Sequence, residues 1–289
     1  MNNKKVSIII LTYKSELHIY ECIDSVQKFN DIGNELEIIV VDNNSPDVDL
    51  MFSNIKDIYG DEIILVKNDK NGGYGQGNNV GIKVALSPII LIMNPDVRLV
   101  HPIFCEALNT FSNNNITMLG MEQYYNSSER AVSFFLATIY NSSIINRIID
   151  ALLIKWNIFL PKKMCISGAC FFIDKQKFSE IGLFDENIFM YCEESDIHYR
   201  IPTKNEIVFS KKMRYVHLAG GRGWNIKTIR SIFISKLYLA KKYNCSVKKV
   251  IRNEIIYTLI HIVLATIKKD KQIAEIFKNW LNEVRTVYL

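Results

Sequence analysis

The six cysteines, Cys22, Cys105, Cys165, Cys170, Cys192 and Cys245, form no C-x-x-C pair and meet no histidine at zinc-ligand spacing. A structural zinc site and a disulfide framework are therefore not expected. The thiols fit the small apolar residues of a reducing compartment. No internal repeat or low-complexity linker interrupts the chain, which excludes a solenoid or a tethered array. The segment after Met1-Asn2-Asn3-Lys4-Lys5 has neither the apolar length nor the cleavage site of a signal peptide, so a cytosolic location is expected. No apolar run reaches the ~20 residues that a membrane span needs, and Ile255 to Ile267 comes nearest.

Two nucleotide-binding signatures are also missing. The run Asn71-Gly-Gly-Tyr-Gly-Gln-Gly-Asn-Asn79 would need glycine at Asn78 to match G-x-G-x-x-G, and it follows the third predicted strand rather than the first. No G-K-[ST] of a phosphate-binding P-loop occurs. The glycines permit either close backbone approach to a ligand or simply a tight turn.

What is present is a core. Apolar residues make up 48% of the 289 and charged residues 22%, a balance that excludes disorder. Val6 to Leu11, Leu36 to Val41, Ile63 to Val66 and Ile89 to Met93 are strand-like runs without period-2 alternation, as expected of strands buried on both faces. Helical spacing occupies Glu16 to Phe29, the stretch from the glycine run to about Leu86, and Ile144 to Trp156. Strands alternating with helices predict a mostly parallel α/β sheet, whose ligands bind beyond the carboxyl ends of the strands. Thr12, Asp42 and Asp96 each follow such an end. Any one of them could be a turn residue bonding its own backbone, but three on one rim point to a site. Cys165 to Ile173 predicts a further strand, and the chain from Lys227 onward is predicted helical.

The charge is uneven. From Lys227 to the end there are 13 Lys and Arg against 4 Asp and Glu, whereas residues 1–226 hold 22 against 26. A basic end on a mildly acidic body predicts a polyanionic partner surface. Without an RNA-binding aromatic motif, zinc finger or helix-turn-helix, an anionic membrane surface is expected and nucleic acid is not. Two segments could meet a membrane, or equally pack on their own domain. One is the apolar stripe of 144–156. The other is Val250 to Ile267, flanked by Lys248, Lys249, Lys268, Lys269 and Lys271.

Glu193, Glu194 and Asp196 cluster in "FMYCEESDIHYRI". Acidic residues in a first helical turn are favoured by the helix dipole, and clustered carboxylates also raise one another's pKa toward general-base duty. His217, in "YVHLAGGRGW", is open between a metal ligand and a surface histidine.

Taken together, "VSIIILTYKSE", "IIVVDNNSPD", "NGGYGQGNNVGI", "ILIMNPDVRL", "SGACFFIDKQKFSEIGLFDENIFMYCEESDIHYR" and "VHLAGGRG" resemble, in their order, the family-2 glycosyltransferases of GT-A fold. The asparagine-glycine run with NPDV resembles most the rhamnosyltransferase branch of bacterial surface polysaccharide synthesis. The resemblance spans residues 4 to about 240.

It implies a GT-A-type, Rossmann-like α/β sheet flanked by helices over 1–226 and a helical extension over 227–289. It further implies that Thr12 and Tyr13 hold the nucleotide and that Asp42 bonds its pyrimidine. Asn71, Gly72, Asn79 and Asn94 join the substrate-binding set, and Arg222 takes a phosphate. Asp96 with His217 would bind a divalent cation, Mg²⁺ or Mn²⁺. Asn94 departs from the usual aspartate of the metal motif. Glu194 falls on the catalytic base, usually aspartate, which leaves Asp196 as its rival. The implied reaction is inverting transfer from a nucleotide-sugar donor, dTDP-L-rhamnose, to a polyprenyl-linked glycan acceptor at the inner face of the membrane. A nucleotidyltransferase, or a sugar-nucleotide-binding module without turnover, would use the same carboxylates differently.

Overall fold

The computed structural model describes residues 3–137, 144–218 and 225–288. Its centre is an eight-stranded sheet in the order β3-β2-β1-β4-β9-β6-β10-β5. These strands are β1 Val6–Thr12, β2 Leu36–Asp42, β3 Ile63–Lys67, β4 Ile89–Met93, β5 Val97–Leu99, β6 Ile116–Tyr124, β9 Cys170–Asp174 and β10 Glu206–His217. β9 and β5 run against the other six. β7 Phe134–Leu136 and β8 Met164–Ile166 form a separate antiparallel pair.

The largely apolar strands follow from helices on both faces, and the polar exceptions Ser7 and Glu37 pair with each other, the Ser7 hydroxyl donating to Glu37 Oε2. Val6, Ile8 and Ile10 of β1 pack with Cys22, Ile23 and Val26 of α1 (Ile19–Lys28), Met51 and Ile55 of α2 (Val48–Tyr59) and Phe104 of α4 (Phe104–Phe111). On the opposite face Ile9 joins Ile39 and Val41 of β2. They meet Ile82 of α3 (Tyr74–Val84), Phe178 of α6 (Lys175–Glu180) and Ile197 of α7 (Glu193–Arg200). Each fully buried side chain of this size contributes ~1.5–3 kcal/mol relative to exposure. A polar residue at Ile9 or Ile10 would leave an unsatisfied group between sheet and helix.

α1 begins at Ile19, not Glu16. Ser15 turns the chain first, accepting the His18 and Ile19 amides on its carbonyl. The 165–173 stretch is likewise not one strand. Ser167, Gly168 and Ala169 break it into β8 and β9, which belong to different sheets.

α5 (Ile144–Lys155) lies against β7. At the carboxyl end α8 (Ile226–Lys242), α9 (Val247–Ile267) and α10 (Lys271–Tyr288) share their own core of Phe233, Phe277, Trp280 and Val284, joined by Ile188. Asn225 caps α8 through the Thr228 amide at 2.9 Å, and Ser246 caps α9 through the Lys249 amide at 3.3 Å.

α9 turns part of its polar set inward, although Lys248, Lys249 and Arg252 stay exposed: Glu254 accepts the Trp280 indole N–H at 3.0 Å, and His261 stacks on Phe277 with ring centroids 4.5 Å apart. Ile256, Leu259, Val263, Leu264 and Ile267 point outward. At 21 residues α9 is also longer than the 255–267 run, and by length and composition it could cross a bilayer.

Candidate active site at the carboxyl rim of the sheet

β1 and β2 end in register, Thr12 beside Asp42. The Thr12 hydroxyl donates to Asp42 Oδ2 at 2.9 Å. The Ser45 amide donates to Oδ1 at 2.7 Å, and the Ser45 hydroxyl to Oδ2 at 2.7 Å. Asp42 is fully buried. Its carboxylate closes the 42–45 turn, and a nucleobase could reach it only by replacing one of these bonds. Tyr13, by contrast, stands at the mouth, 46% exposed.

The glycine run opens α3. Asn43 donates to Asn71 Oδ1 at 2.9 Å and to the Gly73 carbonyl at 3.1 Å, while Asn68 donates to Asn43 Oδ1 at 2.7 Å. Asn71 also accepts the Gly73 amide at 3.1 Å. Gly73 has φ +92°, and a Cβ there would lie 2.0 Å from the Phe189 carbonyl oxygen. Only glycine fits. At Gly72 a Cβ would lie 2.5 Å from Gln76 Oε1. Asn79 departs from a substrate-facing position. It is buried, and its amide clamps the Phe184 backbone and Glu186 Oε1, each at 3.0 Å.

β4 delivers Asp96 through Asn94 and Pro95. The Asn94 amide donates to the Ala169 carbonyl at 2.9 Å, and the Leu218 amide donates to the Asp96 carbonyl at 2.9 Å. β5 then pairs with β10, setting Val97 opposite His217. The result is a convergence of two side chains: His217 Nε2 lies 3.2 Å from Asp96 Oδ1. That distance is within ion-pair range, yet no hydrogen bond is formed, and Nε2 is a buried nitrogen without a hydrogen-bond partner. A carboxylate oxygen beside an unpartnered imidazole nitrogen suits a divalent cation that takes its remaining ligands from phosphate and water. Among the described residues no cluster of three His, Cys, Asp or Glu that could hold a metal ion is formed.

The turn that splits β8 from β9 links this pair to the acidic helix. Next to Ala169, the Gly168 amide donates to Glu194 Oε1 at 3.1 Å, and its carbonyl accepts the Tyr74 hydroxyl at 2.5 Å. α7 starts abruptly after two left-handed residues, Tyr191 (φ 72°) and Cys192 (φ 73°). Burial raises the Glu194 pKa above the usual carboxylate range. Burial and then the neighbouring Glu194 charge push Glu193 up to about 8, and Glu193 Oε1 is buried without a hydrogen-bond partner.

Asp196 stands apart. It is 1% exposed, and it pairs with Lys242 at 2.5 Å and Arg200 at 2.8 Å while accepting the Tyr243 hydroxyl at 2.8 Å. Lys242 also holds Asp185 at 2.6 Å, and Tyr238 donates to Asp185 at 2.7 Å. Burial alone would raise the Asp185 pKa, but these bonds outweigh it and hold the carboxyl far below its ordinary value. Lys242, Tyr243, Asp185 and Tyr238 carry no local sequence signal. Lys242 lies 46 residues from Asp196 and 57 from Asp185. Arg222 lies outside the described residues.

The sequence profile of glycosyl transferase family 2 matches residues 7–182. This chain belongs to that family. A hexosyltransferase of low-salt glycan biosynthesis, Agl10 of Haloferax volcanii, is 27% identical over 207 residues, 69% of this chain and 62% of that protein. The poly(ribitol-phosphate) beta-glucosyltransferase of Bacillus spizizenii is 34% identical over 93 residues, 32% of this chain and 15% of its own length. The chain thus spans less than two thirds of either relative. The solved structure of the mannosyltransferase PcManGT of Pyrobaculum calidifontis, in complex with GDP-Man and Mn²⁺, superposes with a TM-score of 0.63 at 12% identity. That match covers 97% of this chain and 84% of that one. The architecture of this family-2 chain is accordingly the GT-A type.

Proposed function

We propose that this family-2 chain is an inverting, metal-dependent glycosyltransferase acting in bacterial surface polysaccharide (O-antigen or capsule) synthesis. Its donor is a nucleotide sugar, dTDP-L-rhamnose, and its acceptor a polyprenyl-linked glycan at the inner face of the cell membrane. The observation that carries the reading is the 167–169 turn. Through Gly168 it holds Glu194, and through Ala169 it holds the strand end that presents Asp96 beside His217. On this reading the base and the metal pair are both tied to that one turn. Asp196 is spent on Lys242, Arg200 and Tyr243, which favours Glu194 as the base.

Glu194 takes the proton of the acceptor hydroxyl as that oxygen bonds to the anomeric carbon. The bond from that carbon to the diphosphate breaks on the opposite face, and the nucleoside diphosphate leaves with the electron pair. One displacement inverts the centre, and burial makes Glu194 a stronger base than an exposed glutamate. Asp96 and His217 would hold Mg²⁺ or Mn²⁺, which when bound offsets charge developing on the departing diphosphate. We assign Thr12, Tyr13, Asn71, Gly72 and Asn94 to the donor side and Arg222 to a phosphate.

The haloarchaeal and bacillar relatives, named for glycan and poly(ribitol-phosphate) glycosylation, support a polymeric acceptor. The catalytic part is 1–226, and 227–289 is a helical extension. Its outward apolar residues on α9, with Lys248, Lys249, Lys268, Lys269 and Lys271 at the two ends, suit an anionic membrane surface without a spanning role.

The test is a panel of nucleotide sugars with a polyprenyl-diphosphate glycan primer. Free nucleoside diphosphate and an extended primer from dTDP-L-rhamnose support the reading. Pyrophosphate release would instead mark nucleotidyl transfer, and binding without turnover an inactive module.

A further inference from the structure

α5 carries a second apolar face that is exposed and without a partner among the described residues, separate from α9 and joined through β8 to the turn that holds Glu194. Ile148, Ile149, Leu152 and Trp156 recur at helical spacing within a stripe roughly 100° wide, and all four are exposed, Trp156 by 63%. Ile158 extends the stripe past the helix end. Lys155, Lys162 and Lys163, all exposed, border it.

The opposite side of the same element is tied down firmly. Asp150 Oδ1 accepts the Leu136 amide of β7 at 2.9 Å. Arg130 donates to the last carbonyls of the helix, Ile154 at 3.1 Å and Lys155 at 2.8 Å. Asn157 turns the chain with φ 54° and donates to Glu122 at 2.6 Å, and Phe159 packs on Phe134 and Phe209. An anchored helix that turns isoleucine, leucine and tryptophan outward, with lysines gathered at its carboxyl end, has the chemistry of an interfacial segment. The rings and branched chains suit the acyl boundary, and the ammonium groups suit anionic headgroups.

We propose that α5 and the turn following it rest on an anionic phospholipid bilayer. The placement deepens the reading of a lipid-linked acceptor, because Lys163 leads directly through β8 to Gly168, which holds Glu194. Five residues of extended chain span about 17 Å. A bilayer at α5 therefore presents a membrane-borne diphosphate glycan within short reach of the base.

The test uses fluorescence, with no requirement for turnover. The chain has three tryptophans: Trp156, Trp224 and the fully buried Trp280. Trp224→Phe retains Trp156 as the exposed reporter. It is mixed with vesicles of phosphatidylglycerol and phosphatidylcholine whose acyl chains carry bromine near the headgroup. Expected is quenching of tryptophan emission on anionic vesicles, absent on pure phosphatidylcholine and reversed by salt. The double variant Trp156→Phe, Trp224→Phe should lose the quenching. Ile148→Ser with Leu152→Ser should weaken vesicle binding and leave transfer to a soluble acceptor analogue unchanged. Vesicle binding without quenching would place the membrane elsewhere, as on α9. No binding, or concentration-dependent dimers that bury Trp156, would also overturn the proposal. If wild type transfers no sugar, the catalytic reading fails while the quenching still decides this one.

Discussion

Gly168 and Glu194 are fitted to each other: the glycine amide donates to Glu194 Oε1 at 3.1 Å, and a Cβ on Gly168 would lie 2.5 Å from that same oxygen. Gly168→Ala should therefore displace the carboxylate with little effect on folding. Displacing a reacting group by about 1 Å can cost on the order of 10²-fold in rate. Reduced steady-state turnover beside an unchanged thermal midpoint is the expected pair of results. Wild-type turnover in Gly168→Ala would show that the bond does not position the base.

Asp96 and His217 should act as a pair. Asp96→Ala is expected to cut transfer about 10²–10³-fold, the scale of losing a charge-stabilising group. His217→Ala should raise the metal concentration needed for half-maximal activity. EDTA should abolish turnover, and Mg²⁺ or Mn²⁺ should restore it. Full activity after exhaustive chelation would contradict the assignment.

Glu193 gives a pH signature in stability. Its pKa rises from 4.5 to about 8 in the folded protein, so between those values the native state binds the extra proton. Stability contributed by that proton is present at low pH and is lost as pH rises toward about 8. Glu193→Gln cannot ionise. Its thermal midpoint should match wild type near pH 4, exceed it increasingly up to about pH 8 and level off above that. Parallel midpoint curves across that range would rule out a protonated Glu193.

Lys242 joins the acidic helix to the carboxyl-terminal helices through Asp196 and Asp185. Lys242→Met leaves both carboxylates one partner short. With the lysine side chain 26% exposed, the cost should fall below that of breaking a fully buried pair, about 1–3 kcal/mol. Turnover should fall as well, because Asp196 lies two residues from Glu194 on α7, and Lys242→Arg should recover much of both. Urea unfolding beside kinetics checks this. No change in either measurement would remove Lys242 from the positioning of α7.

The rim of the sheet was legible because β1, β2 and β4 are largely apolar runs, interrupted only by Ser7 and Glu37, and each is closed by a polar residue. Pairing Asp96 with His217 was legible through resemblance alone, since 121 residues separate them and β10 gave no clear pattern. The 165–173 stretch misled because its flanking residues are strand-like, and Gly168 marked a turn where two sheets meet. Asn79 looked like a ligand group in a glycine-rich run, yet its whole amide clamps the 184–186 segment. The Lys242 ties were hidden for the same reason as most tertiary ion pairs: nothing local marks a lysine whose partners are distant in sequence. On α9 the apolar composition was plain. The inward turn of Glu254 and His261 needed α10, with Trp280 and Phe277 to receive them.

The most direct test of the catalytic account is Glu194→Gln, measured for donor binding and for sugar transfer in the same preparation. The glutamine keeps the side chain's shape and its place beside Gly168 while removing the proton acceptor. Donor affinity should stay near wild type, and transfer should fall ~10²–10⁴-fold, as for loss of a general base. Transfer at the wild-type rate in Glu194→Gln, with Asp196→Asn the crippled variant, would contradict the account.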